Sequence, residues 1–142
     1  MASRLKRVGM ALIIGALIAF TENMAAVLVT GRTPFADGSL GFIDTPKVAV
    51  AHLAIASIPM LMLAVSGVTR RWPWAIAILL PSLFAIFAVH QFWRDSLGDF
   101  AGGANIGLGL IMMASPFLTL GVIGCIALAG YAARRIRRRR VQ

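Results

Sequence analysis

Four polar residues in an otherwise apolar setting are the ones that could do chemistry: Glu22, Asn23, His52 and His90. A carboxyl and two imidazoles take up and release protons, and the same groups ligate cations. His52 and His90 are the only histidines, and Glu22 is the only acid inside an apolar run. A charged carboxylate facing lipid costs about 3 kcal/mol even on the lenient insertion scale. Glu22 is therefore expected to face the interior, to be protonated, or to pair with His52 or His90.

Three chemistries are open to this cluster. It can be a proton, cation or metal site built from Glu22, His52 and His90. Four aspartates, Asp37, Asp44, Asp95 and Asp99, would then concentrate cations at its mouth. It can hold a haem b between His52 and His90 as axial ligands. The stretch HLAIASIPMLMLAVSG has a superficial resemblance to a haem-binding helix of small membrane cytochromes, resting on one His and one Gly. Or the polar groups can be structural, bonding across helices to fix a bundle.

The segments that must position these residues are membrane helices. The apolar fraction is 59% and the charged fraction 13%, against about 25% charged in soluble domains. That is too little charge to cover a soluble surface. Four apolar runs reach the roughly 20 residues a bilayer requires. They span about 8–30, 48–68, 74–92 and 104–133. Lipid offers the backbone no hydrogen bonds, so each run is expected to be a helix. The first run opens like a secretory signal, but no small-x-small pattern follows Phe20 and apolar character resumes at Met24. It is expected to remain as a helix.

Charge sets the expected orientation. Arg4, Lys6, Arg7, Arg70, Arg71, Arg134, Arg135, Arg137, Arg138, Arg139 and Arg140 fall on one side, with no acid among them. Arg32, Lys47 and Arg94 fall on the other, with all four aspartates. The positive-inside bias predicts an all-α, up-down bundle with both ends cytoplasmic. Arginine outnumbers lysine twelve to two, as in GC-rich bacterial genomes, so the expected bilayer is a bacterial inner membrane. At about 1.5 Å per residue, Glu22 lies about 12 Å below the outer edge and His52 about 7 Å. His90 and Asn105 fall near the same level, so the polar groups gather in the outer half.

Packing signals run along the helices. Gly121, Cys125, Ala129 and Ala133 form a small-residue stripe, Gly103 and Gly107 a GxxxG, and Gly15 and Ala19 a small-xxx-small pair. Such positions let helices approach closely, within the chain or between chains. Within-chain packing is the expectation for them. Pro59, Pro81 and Pro116 fall mid-helix, where each removes a backbone donor. Mid-membrane prolines also suit transporter helices.

The tail 134–142 holds six arginines that suit anionic lipid headgroups as well as topology. Cys125 is the only cysteine, which removes intrachain disulfides and CxxC metal sites from consideration. No Walker loop, nucleophile elbow, dinucleotide fingerprint or HExxH motif occurs. The expected function is a non-enzymatic accessory subunit or assembly factor of a larger membrane complex, contacting other subunits or itself. A small ion, proton or metal transporter and a haem b electron carrier are the alternatives. Nucleic acid is not an expected partner, because the basic residues flank apolar runs.

Overall fold

A computed structural model describes residues 2–29, 46–97 and 106–140. Residues 30–45, 98–105 and 141–142, among them Asp37, Asp44, Asp99, Gly103 and Asn105, lie outside the described residues. Four helices run in order: α1 (Ala2–Val29), α2 (Pro46–Val65), α3 (Arg71–Ser96) and α4 (Ile106–Arg140). No strand occurs among the described residues.

Three of them are long and apolar enough to cross a membrane, within Ser3–Val29, Arg71–Gln91 and Leu110–Ile136. The described apolar part of α2, Val50–Val65, is shorter. Large apolar side chains cover the outside of the bundle, among them Leu17, Phe20, Leu79, Ile86, Phe117 and Leu128. A water-facing domain does not expose so continuous an apolar surface; a lipid-facing one must.

The helix ends differ from the apolar runs for local reasons. α1 begins at Ala2, six residues before its apolar run, because Arg and Lys are good helix formers. There the Arg7 Nε donates to the Ser3 carbonyl at 3.2 Å. α4 continues through the arginines to Arg140, so the expected tail is helical over most of its length. α2 stops at Val65 rather than 68. Gly67 takes a φ of 71°, a left-handed conformation glycine adopts without penalty. Gly67 N–H then donates to Ala64 O at 3.2 Å and Val68 N–H to Leu63 O at 3.0 Å. This is a Schellman cap, and Val68 packs against the core cluster that contains Leu63.

Side-chain contacts fix the helix directions. The start of α1 meets the end of α2 through Arg7 Nη1, which donates to Val68 O at 3.2 Å. The far end of α1 meets the start of α2 through Glu22 and His52. These two helices are antiparallel. Ala11, Met60, Leu63, Ala77 and Ile123 form one core cluster toward the Arg7 end, drawing on all four helices. Ala11, Gly15, Ala19 and Ala26 are all buried, a small-residue face that lets α1 lie close to α2. At Gly15 the approach is closest: a Cβ there would collide with the Ser57 hydroxyl and sit 3.1 Å from its Cα.

The prolines are absorbed within the helices. Pro59, Pro81 and Pro116 are all buried. Pro116 cannot donate to the carbonyl of Met112, four residues back. Ser115 Oγ donates to that carbonyl instead, at 2.8 Å.

Candidate functional site

Glu22 follows Ala19 on the small-residue face of α1, and this turns its carboxyl toward α2. His52 lies on the first turns of α2, pointing back. The Glu22 Oε2 lies 3.6 Å from His52 Nδ1, and both side chains are more than nine-tenths buried. The distance is that of an ion pair rather than a tight hydrogen bond. Glu22 Oε1 is buried with no hydrogen-bond partner. An unpaired carboxylate oxygen is costly at low dielectric.

The pair borders a small central void that every helix helps to line. Glu22, His52, Pro81, Phe84, Met112 and Ser115 are among its walls. Its volume is about 10 Å³, near the minimum of about 10–15 Å³ needed by one water. Glu22 also borders a wider groove of about 400 Å³ between α1 and α3, lined by Leu17, Thr21, Ser82, Ile86 and Val89. That groove is open toward the outside of the bundle and almost wholly apolar. One carboxyl therefore stands between a small, mostly apolar void and a lipid-side groove.

The other expected site residues do not join the pair. Asn23 is buried, but its Nδ2 donates to Ala19 O of its own helix at 2.7 Å. His90 is exposed, and its ring lies 5.9 Å from that of Trp93, tilted by 59°. Comparison with protein-family models, curated proteins and solved structures finds no match. Function must therefore be argued from this geometry alone.

A haem b between His52 and His90 does not fit this arrangement. His52 is buried against Glu22, and the void beside it is far below the roughly 300 Å³ at which small-molecule pockets begin. No group of three His, Cys, Asp or Glu side chains able to hold a metal ion occurs among the described residues. What Glu22 and His52 can do together is share or exchange one proton.

Sequence reasoning overlooked three buried hydroxyl groups. Ser57, Ser115 and Thr119 are almost fully buried. Thr119 Oγ1 donates to Ser115 O at 2.8 Å. The adjacency of Ser115 and Pro116 was the available signal.

The stripe on α4 lies on the outside. Gly121, Cys125, Ala129 and Ala133 are all exposed, and nothing lies within 4 Å of a Cβ built at Gly121, Gly124 or Gly130. The expectation of within-chain packing fails here, because the bundle-facing line of α4 runs through Ser115, Thr119 and Ile123 instead. Arg134 and Arg135 are exposed; the side chains of Arg137, Arg138, Arg139 and Arg140 lie outside the described residues.

Proposed function

We propose that this chain is a four-span protein of a bacterial inner membrane, with both ends cytoplasmic. In that membrane it works as a non-enzymatic subunit or assembly factor of a larger complex, with α4 as its contact face. The observation that carries this reading is the exposed half of α4. From Gly121 to Ile136, Ile123 is the only buried residue. The stripe Gly121, Cys125, Ala129 and Ala133 lies within that exposed half. Small residues gain nothing from lipid tails, whereas they let a second helix approach closely. The orientation rests on the eleven basic residues of one side against three on the other.

Cys125 supplies the test. A short cysteine-reactive photo-crosslinker attached there, in native membranes, should yield a discrete adduct with another membrane protein or a second copy of this chain. The same probe at Tyr131, exposed but turned about 120° from Cys125 around the helix, should not. Labelling of lipid alone from both positions would overturn the reading.

A second reading is favoured by Glu22 bordering both the void and the open groove. In it the chain moves a proton or small cation, with Glu22 and His52 as the exchanging groups. Proteoliposome proton flux that disappears in Glu22→Gln would support it; flux equal to protein-free vesicles would remove it.

A further inference from the structure

The basic end of the bundle carries a separate groove, of about 460 Å³, between the first turns of α1 and the start of α3. Arg7, Thr69 and Arg71 stand at its polar end; Met10, Trp74 and Ile78 line the apolar part. We infer that this groove binds one anionic glycerophospholipid. Its phosphate sits between Arg7 and Arg71, and an acyl chain runs along Met10 and Ile78. The inference requires this end to lie at a membrane surface, but not that α4 has a protein partner.

Charge is the first argument. The segments 1–21, 48–94 and 100–142 contain no Asp or Glu. Glu22 is the only acidic side chain among those described, and it faces His52. Arg7 and Arg71 therefore have no carboxylate of their own chain among the described residues.

Pre-organisation is the second. Arg7 is half-buried, with Nη1 donating to Val68 O and Nε to Ser3 O, each at 3.2 Å. Two of the five guanidinium N–H donors hold the group in place, and the fork can still meet a phosphate. Trp74 is fixed beside it, its Nε1–H donating to the same Val68 carbonyl at 3.0 Å. An indole at headgroup depth is a common feature of membrane interfaces. α3 begins at Arg71, so the positive end of its dipole adds to the field there.

Shape is the third. A free phosphate would meet the arginines but leave the apolar walls uncovered. A phospholipid satisfies both ends at once, and basic pockets between membrane helices are known to hold such headgroups. The arginines at the end of α4 are a different feature, and none of them lines this groove.

Bromine quenching tests the inference. In a Trp72→Phe, Trp93→Phe background Trp74 is the sole tryptophan. The protein is placed in phosphatidylcholine bilayers and titrated with dibrominated phosphatidylglycerol or dibrominated phosphatidylcholine. Trp74 should be quenched at much lower mole fraction by the anionic lipid. Arg71→Gln should weaken that preference about fivefold, the effect of one arginine near a surface. Arg71 is exposed, so this variant keeps the fold, with helix content by circular dichroism as the check. Replacing Arg137, Arg138, Arg139 and Arg140 with Gln should leave the preference intact. Equal quenching by both lipids would overturn the inference. So would displacement by millimolar inorganic phosphate, or a preference lost in the α4 variant but kept in Arg71→Gln.

Discussion

The Oε2 of Glu22 lies 3.6 Å from the Nδ1 of His52, across the α1–α2 contact and out of reach of water on the bundle surface. Each group lowers the other's cost of burial, so the two substitutions should not add. In a double-mutant cycle with Glu22→Gln and His52→Gln, a coupling of about 1–3 kcal/mol is expected, as for contacting polar groups. Reversible unfolding in detergent micelles measures it. His90→Gln, paired with Glu22→Gln in the same cycle, should be additive, because His90 is exposed beside Trp93. Additivity in the first cycle would mean the pair is an accident of packing.

Gly15 and Gly121 make a matched pair of tests. A Cβ at Gly15 meets Ser57 at once, its backbone included. Gly15→Ala should destabilise the bundle by about 1–3 kcal/mol, the usual cost of overpacking. Ser57→Gly should restore part of that loss. Gly121→Ala meets nothing within 4 Å and should change stability by less than about 0.5 kcal/mol. Gly121→Leu should nevertheless reduce the Cys125 crosslink if α4 is a contact face. A large stability loss from Gly121→Ala would show that α4 packs differently.

Much of the architecture was legible because lipid simplifies the code. Long apolar runs have one stable outcome, so α1, α3 and α4 could be read from hydropathy. The helix ends were less legible. Apolarity continues past Val65 to Val68, and only the left-handed preference of Gly67 marks the stop. The site was partly legible: an acid in an apolar run must turn inward, and Glu22 does. Its choice of His52 over His90 was not. That choice depends on rotation about each helix axis, and α2 and α3 are apolar all round, so no polar stripe announces which face turns inward. The same ambiguity hid the outward face of Cys125.

Orientation has a direct readout. Alkaline phosphatase fused at Asp37 or Gly98 should be active, and fusions after Arg71 or Gln142 should be inactive. Green fluorescent protein at Gln142 should fluoresce. The motive is the absence of any acid among the basic residues at 4–7, 70–71 and 134–140. A periplasmic C-terminus would remove the charge argument.

Ser115 and Pro116 test how α4 tolerates a break in its hydrogen-bond ladder. Pro116 deprives the Met112 carbonyl of its normal donor, and Ser115 Oγ takes that place at 2.8 Å. Ser115 is also almost fully buried beside the central void, so no solvent molecule can readily replace it. Ser115→Ala should therefore cost about 1–3 kcal/mol, the penalty for a buried acceptor left unsatisfied. Pro116→Ala restores an N–H to the same carbonyl and makes the serine redundant there. In that background Ser115→Ala should lose most of its effect. Thr119 sharpens the comparison. Its Oγ1 donates to Ser115 O, a carbonyl whose own i+4 donor is present, so Thr119→Val should cost less than Ser115→Ala. If Ser115→Ala costs the same with and without Pro116, the serine acts through the void and the Glu22–His52 pair instead. The coupling measured between those two residues should then change in the Ser115→Ala background.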